Sequence, residues 1–227
     1  MLYVIGVPIG HPDDITLRAL KAIREADIVA SENPTATRTL LQRHGIHATL
    51  TSYGPANLDE KIAVLIQKLR QGASIALVSD CGSPVISDPG CRLVAAAHAN
   101  AIRVQSVPGP SALTAAVAAS GLAGDSLIFQ GQMPEAKSAI QRCVAGLLKN
   151  AKPTVLFCTA NSLAVALSTL ARATPRRLIV LACDLTKPGE TIIRGTPVHV
   201  QRTIQNLRPV EDVTLIVAGK KPDRKRR

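Results

Sequence analysis

Ser79-Asp-Cys-Gly-Ser-Pro-Val-Ile-Ser-Asp-Pro-Gly90 is the stretch that decides how this chain is read. It follows an apolar run, Ile75-Ala-Leu-Val78, which reads as a buried parallel strand. Twelve residues then carry two aspartates, two prolines and two glycines, a composition that no helix or strand interior tolerates. A second break of the same kind comes at Val107-Pro-Gly-Pro-Ser111, between a strand over residues 102–107 and an alanine-rich helix. In an open α/β sheet, ligands sit beyond the carboxyl ends of strands, beside helix N-termini. Two elaborate strand-to-helix turns in one half of the chain therefore point to a small-molecule site.

Outward from these turns, strand and helix signals alternate. Residues 2–7 read as a short strand, and Asp14 is expected to cap the amphipathic segment 15–25, with Pro12 ahead of it. Strands follow at 27–31 and 48–53, with a helix at 35–44 between them. Asn57 is expected to cap a helix that runs to Gln71 and stops at Gly72. A strand at 74–79 and a helix at 91–99 complete the set. This order predicts a mostly parallel sheet with helices on both faces. The helix after Ser111 ends at the glycine-rich break 121–124. Beyond it, strands are expected at 126–130, 153–158, 177–183 and 212–218, and helices at 135–149, 161–172 and 199–206. The boundary between the halves is placed at residue 112, which gives domains at 1–112 and 113–219 and a basic tail at 220–227.

Composition narrows the function classes. Apolar residues make up 46% of the 227, ample for a core, while aromatics supply only 2%. With Tyr3, Tyr53, Phe129 and Phe157 as the full aromatic set, stacking of nucleobases on aromatic rings has little to work with. Net charge is +11, and the tail supplies +5 of it from six basic residues against Asp223. That tail reads either as a phosphate-seeking arm or as a solvated end. The remaining +6 keeps an RNA partner open. Five scattered cysteines without a CxxC pair suit a reduced, cytosolic protein, and no signal peptide or membrane span is read.

The common fingerprints are missing. Gly6-Val-Pro-Ile-Gly10 has the wrong spacing for a dinucleotide turn, and no phosphate-binding GK[ST] loop is present. Gly109-Pro-Ser111 lacks the closing glycine of a nucleophile elbow. The five histidines form no metal pair at helical spacing, so no metal site is expected. What remains is three small-residue turns, at 8–14, 80–90 and 108–111, which together would surround one crevice at a sheet edge. Taken singly, each has a tight connection as its plain reading. Asp80 could accept hydrogen bonds there from hydroxyl or ammonium groups, and the amides of Gly82 and Ser83 are expected to lie open to a ligand.

These turns carry a resemblance. Pro8-Ile-Gly10 with Asp14-Ile-Thr-Leu-Arg-Ala-Leu20, the twelve-residue motif, and Pro108-Gly-Pro-Ser-Ala112 resemble the cofactor turns of the tetrapyrrole (corrin/porphyrin) methylase superfamily. Leu185-Thr-Lys187, Glu190 and Arg194-Gly-Thr196 resemble a segment of its second domain. Within the superfamily the likeness is strongest to the branch that 2'-O-methylates a cytidine ribose in small-subunit ribosomal RNA. The resemblance implies two α/β domains, the first with a mostly parallel sheet and the second with a mixed one, and S-adenosylmethionine (SAM) in the cleft between them. It assigns Pro8, Asp80, Gly82, Ser83, Ser111 and Ala112 to the cofactor from the first domain, and Phe157, Cys183 and Ala218, at second-domain strand ends, to its adenine. It also implies a homodimer acting on ribosomal RNA or the small ribosomal subunit, away from membranes.

The chain departs from the pattern on its charged side. Family members commonly carry Asp, Arg and His where this chain has Asn33, Thr35 and Ala36, while Glu32, Thr37 and Arg38 match. Their Tyr-Glu-Ser-Pro-His-Arg run is replaced by Cys158-Thr-Ala-Asn-Ser-Leu163, and the basic segment after Pro134 is thinned to Glu135-Ala-Lys137. Methyl transfer to a ribose hydroxyl, a weak nucleophile, calls for a base. Glu32, after the second strand, is the best-placed carboxylate, and Arg38 could hold a phosphate. Glu32 also reads as an ordinary carboxylate favoured by a helix N-terminus. Three readings follow: an RNA ribose methyltransferase, a SAM-dependent methylase of a small molecule such as a tetrapyrrole, and a non-catalytic SAM- or RNA-binding relative.

Overall fold

A computed structural model of the chain describes residues 1–53, 58–122 and 124–220. The expected cap at Asn57 and the tail beyond Lys220 lie outside the described residues. Two compact units are resolved, Met1–Ser111 and Ala112–Arg227.

In the first unit, five strands pair in parallel in the order β3-β2-β4-β1-β5. They are β1 (Leu2–Ile5), β2 (Ile28–Ser31), β3 (Leu50–Ser52), β4 (Ile75–Val78) and β5 (Val104–Val107). Helices α1 (Leu17–Glu25), α2 (Pro34–Arg43), α3 (Leu58–Arg70) and α4 (Cys91–Ala99) connect them. Strand alternation explains the two-sided core. Ala76 and Val78 of β4 pack with Ala19, Ile23 and Leu41 on one face, and Ile75 and Leu77 with Leu65, Leu93 and Ala97 on the other. All four β4 side chains are fully buried, as a central parallel strand requires. One cap differs from expectation. Pro12–Asp14 forms a short 3-10 turn, and Thr16 caps α1 by accepting from the Ala19 N–H at 3.1 Å. Asp14 sits inside that turn, two residues ahead of the capping position that Thr16 takes.

The second unit holds a mixed sheet in the order β6-β7-β10-β8-β9. Its strands are β6 (Ile128–Gln132), β7 (Thr154–Cys158), β8 (Ile179–Cys183), β9 (Thr191–Gly195) and β10 (Val213–Val217). Helix α5 (Ala112–Ser120) packs against β8, β9 and β10. Helices α6 (Lys137–Leu147), α7 (Ala160–Ala173) and α8 (Pro197–Gln205) contribute Ile140, Val144, Leu163, Leu167 and Val200 to one core with the strands. The sequence reading omitted β9. It pairs antiparallel with β8 from Thr191↔Cys183 to Gly195↔Ile179, and its β-branched Thr191-Ile-Ile193 run is the signal that marks it. The uncharged Thr159–Ser162 segment forms a reciprocal capping box at the start of α7. No helix among the described residues is long and apolar enough to cross a membrane, and all five cysteines are free thiols.

Candidate active site at the carboxyl edge of the parallel sheet

Strand register builds this site. Ser31 pairs with Ser52 on one side and with Val78 on the other, and Ile5 pairs with Val78 and Val107. The residues that leave the sheet next are therefore neighbours in a row: Tyr53, Glu32, Ser79, Gly6 and Pro108. All three turns singled out by sequence leave from this one edge.

Backbone contacts tie the turns together. The Gly82 N–H donates to the Val7 carbonyl at 3.1 Å, and the Val7 N–H donates back to Gly82 at 2.9 Å. The Ser79 hydroxyl donates to the carbonyls of Cys81 and Gly82, each at 3.1 Å. Gly82 has φ +75°, a left-handed conformation that suits glycine. Its amide is thus spent on holding the first turn, contrary to the expectation that it lies open to a ligand. Gly6 and Gly109 touch back to back, so that a Cβ on Gly6 would lie 2.8 Å from the Gly109 nitrogen. The Ser83 hydroxyl reaches the Pro110 carbonyl at 3.4 Å. Pro8 is buried, Asp80 exposed, and Ser83, Ser111 and Ala112 half-buried.

Beside these turns lies a cluster of acidic groups. The exposed Asp80 carboxylate accepts the Asn33 N–H at 3.0 Å, and Asn33 in turn caps α2. Asp88 Oδ1 accepts the N–H groups of Val85 at 3.1 Å and Gly90 at 2.7 Å. The Tyr53 hydroxyl, on a fully buried ring, lies 3.1 Å from the Val78 carbonyl and 3.4 Å from Asp88 Oδ2, two acceptors for its one proton. Burial and the neighbouring carboxylates push that phenol well above its usual range. Val85 adopts φ +77°, an outlier for a β-branched residue, as the loop bends back on Asp88.

Glu32 is the unusual member. Its Oε1 is the one buried side-chain polar atom, among the described residues, with no hydrogen-bond partner. Burial first, then a hydrogen bond shared with Asp88 and the charges of Asp88 and Asp80, lift its carboxyl from 4.5 to about 7. No cation is among the groups that shift it. Arg38, paired with Glu32 by sequence reasoning, is exposed and lines a shallow depression with Leu41, Gln42, Ile46 and His47. The acid cluster and Arg38 are therefore separate features. Sequence reasoning named Glu32 and Asp80 but passed over Tyr53 and Asp88. The second aspartate of the twelve-residue motif, and a tyrosine ending a strand in a chain with four aromatics, were the available signals.

In the second unit, β7 and β8 run antiparallel to β10, so Val213 faces both Cys158 and Cys183. Phe157 and Cys183 thus share one sheet edge, and Ala218, past the far end of β10, belongs to the opposite edge. The three were expected together; antiparallel pairing separates them by roughly 17 Å at about 3.4 Å per residue. The Cys183 side chain is fully buried in the core, which pushes its thiol up to about 11, with the Asp184 charge adding to the shift. Phe157 packs edge-on against Phe129 at 5.1 Å.

Next to Cys183 stands a second acid cluster, Asp184, Glu211 and Asp212. Here Lys187 Nζ occupies the centre, 2.8 Å from Glu211, 2.7 Å from Asp212 and 3.8 Å from Asp184. Buried Asp184 also accepts the N–H groups of Glu211 and Asp212, each at 3.1 Å. Hydrogen bonds to Asp212 and Glu211 hold the Lys187 ammonium well above its ordinary range. Lys187 of the Leu185-to-Glu190 motif is accounted for by this closed network, and Glu190 accepts the Thr186 N–H at 2.7 Å.

Residues 1–199 match the family described as Tetrapyrrole (Corrin/Porphyrin) Methylases. Ribosomal RNA small subunit methyltransferase I of Thermotoga maritima is 36% identical over 219 residues, 96% of this chain and 98% of that protein. The protein of the same name from Mesorhizobium japonicum is 41% identical, covering 86% of this chain and 67% of its own length. Among solved structures, a uroporphyrin-III-C-methyltransferase from Thermus thermophilus aligns with TM-score 0.68 at 21% identity, over 96% of this chain and 93% of that one. A diphthine synthase aligns at 0.69 and 18%, over 96% and 89%. These two share the fold. The chain belongs to the tetrapyrrole methylase family and is a methyltransferase.

Proposed function

We propose that this member of the tetrapyrrole methylase family transfers a methyl group from SAM to the ribose 2'-hydroxyl of a cytidine in small-subunit ribosomal RNA. The observation that carries the reading is the Glu32 carboxyl, lifted to about 7 with Oε1 awaiting a donor. A general base works best with a pKa near the operating pH, and a ribose hydroxyl needs one. The ribosomal RNA methyltransferase name of relatives 36% and 41% identical supports the substrate, as does a net charge of +11 facing a polyanion.

The donor set fits the cofactor. Glu32, Asp80 and Asp88 gather negative charge with no protein cation shifting Glu32, a field that suits a ligand bearing a sulfonium and an ammonium. Pro8, Asp80, Ser83, Ser111 and Ala112 would hold it, with Gly82 shaping the turn rather than donating. SAM when bound supplies a methyl carbon on positively charged sulfur. The chain's own task is orientation, which accounts for about 7–11 kcal/mol of barrier in well-aligned reactions. Glu32 would take the proton that the ribose hydroxyl gives up on accepting the methyl group, as the carbon–sulfur bond breaks and the sulfur leaves as the neutral thioether of S-adenosylhomocysteine. Arg38, exposed on α2, holds a phosphate of the RNA. The protein would act in the cytoplasm as a homodimer.

The test is incubation with methyl-labelled SAM and small ribosomal subunits lacking the modification. The reading expects label in ribosomal RNA, on a ribose whose 3' linkage resists alkali. Label only in an added tetrapyrrole would transfer the assignment to a small-molecule methylase, and no transfer alongside SAM binding would leave a binding protein.

A further inference from the structure

We propose that the edge of the second sheet at which β10 ends is a docking surface for the phosphate backbone of RNA. The identity of the polyanion rests on the ribosomal RNA reading above. Register assembles the edge. Val217, the last residue of β10, pairs with Thr154, the first of β7, and with Ile179, the first of β8. Residues 148–153, 174–178 and 218–220 therefore meet side by side, and contacts tie them into one piece. The Arg177 guanidinium donates to the Ala218 carbonyl at 2.9 Å and to the Leu148 carbonyl at 3.2 Å. The Lys220 N–H donates to the Asn150 carbonyl at 2.7 Å. Gly219 lies so close that a Cβ there would come within 2.0 Å of the Ala151 carbonyl oxygen.

The charge on this scaffold is of one sign. Lys149, Lys152, Arg172, Arg176 and Lys220 are exposed around half-buried Arg177. Among the described residues, Asp125, ahead of β6, is the one carboxylate on the connections that reach this edge, and Lys149, Lys152, Arg172 and Arg176 enter no ion pair. The opposite edge of the same sheet has the reverse balance. There residues 184–190 and 206–212 carry Asp184, Glu190, Glu211 and Asp212 against Lys187 and Arg208. Cations near a helix C-terminus ordinarily complement its dipole, and Arg172 in the last turn of α7 does so. Lys152 and Arg176 lie beyond the ends of α6 and α7, where that dipole has faded.

RNA is the polyanion that fits. Base stacking has no free ring: Tyr53 is buried, Tyr3 packs on the first core, and Phe129 and Phe157 pack on each other. RNA affinity then has to come from phosphate contacts, which a fixed row of cations without carboxylate partners supplies. The sequence past Lys220 adds five further basic residues against Asp223.

The test is an anisotropy titration of the full chain against a labelled RNA single strand of mixed sequence, without SAM, at a series of salt concentrations. One variant combines Lys149→Gln, Lys152→Gln, Arg172→Gln and Arg176→Gln, leaving Arg177 to hold the backbone. The slope of log affinity against log salt should become shallower by about 3, so that the native protein's advantage shrinks about 50-fold between about 50 mM and 200 mM salt. A control combining Arg18→Gln, Lys21→Gln, Arg24→Gln and Lys68→Gln removes equal charge from exposed sites of the first unit, and should change the slope by less than about 1. An unchanged slope in the edge variant overturns the proposal, as does an equal change in the control. Equal affinity for polyglutamate at the same salt also overturns it, in favour of an acidic protein partner. In the native protein, bound RNA should protect Lys149 and Lys152 from acetylation more than Lys68, read by mass spectrometry. Equal modification overturns the proposal even where the variant fails to fold. The edge variant should also raise KM for small ribosomal subunits more than it lowers kcat. A native salt slope in that variant, with transfer to ribosomal RNA retained, rejects the edge alone; a reduced slope with no transfer by the native protein rejects the methylation substrate and leaves the edge standing.

Discussion

Each of the two units gathers three carboxylates at a sheet edge, and the two clusters are resolved in opposite ways. Asp184, Glu211 and Asp212 enclose Lys187, with Arg208 a further 4.0 Å from Asp184. Among the described residues no cation pairs with Glu32, Asp80 or Asp88, and Glu32 responds by holding its proton to about pH 7. A carboxylate cluster with its counter-ion supplied is a joint: it pins the β8–β9 turn to the start of β10. One left without a counter-ion holds electrostatic strain that a cationic ligand or a proton must relieve, and such perturbed groups concentrate at functional sites. The contrast separates a motif closed on its own counter-ion from one whose carboxyl is lifted for want of one.

The largest expected effect of breaking this contrast is catalytic. Glu32→Gln should lower kcat for methyl transfer by about 100- to 10,000-fold, the usual worth of a general base, a much larger factor than the weakening of SAM binding read by calorimetry. A kcat loss below about tenfold would leave Glu32 without the base role. Next in size is the joint. Lys187→Met leaves buried Asp184 beside two acids without their ammonium, and should destabilise the second unit by about 2–3 kcal/mol in urea unfolding. Its sign with pH is fixed: a lysine held above its ordinary 10.5 contributes stability that is complete below that pH and lost above it. Native protein and variant should therefore converge in strongly alkaline buffer.

Asp80→Ala should weaken binding of SAM or S-adenosylhomocysteine by more than about 1 kcal/mol, roughly fivefold in Kd. It also removes the acceptor for the Asn33 amide, so an unchanged Kd would exclude Asp80 from the cofactor while leaving its hold on α2. Smallest is the effect of Glu32 on folding. Its raised carboxyl favours the folded state fully below about 4.5, and that contribution fades as pH rises through 7. Glu32→Gln should hence gain stability on the native protein between pH 5 and pH 8, by less than about 1 kcal/mol for a partly exposed group. A gain on acidification instead would reverse the assigned shift.

Much of this was legible in sequence because the informative signals were local. The continuous apolar run of β4 and the proline-glycine turns after it marked strand, edge and crevice together. The edge strand β9 was harder: of its five residues only Ile193 is buried, so no alternation stands out. The Tyr53–Asp88–Glu32 constellation was illegible for a different reason. Tyr53 and Asp88 lie 35 residues apart, and only the parallel register of β3, β2 and β4 sets Tyr53, Glu32 and Ser79 side by side. Strand direction also decided Ala218, since residues at the end of a strand share an edge only when the strands run the same way. Sequence proposed that β10 ended beside β7 and β8; antiparallel pairing put its end at their beginning.

The central claim is that the cation-free carboxyl cluster does the chemistry, and the pH dependence of kcat/KM for methyl transfer to undermethylated small subunits tests it most directly. The native protein should gain activity with rising pH through an inflection near 7, as Glu32 loses its proton, and the residual rate of Glu32→Gln should show no such inflection. An inflection that persists near 7 in Glu32→Gln, or a flat profile in the native protein from pH 5 to 9, would contradict it.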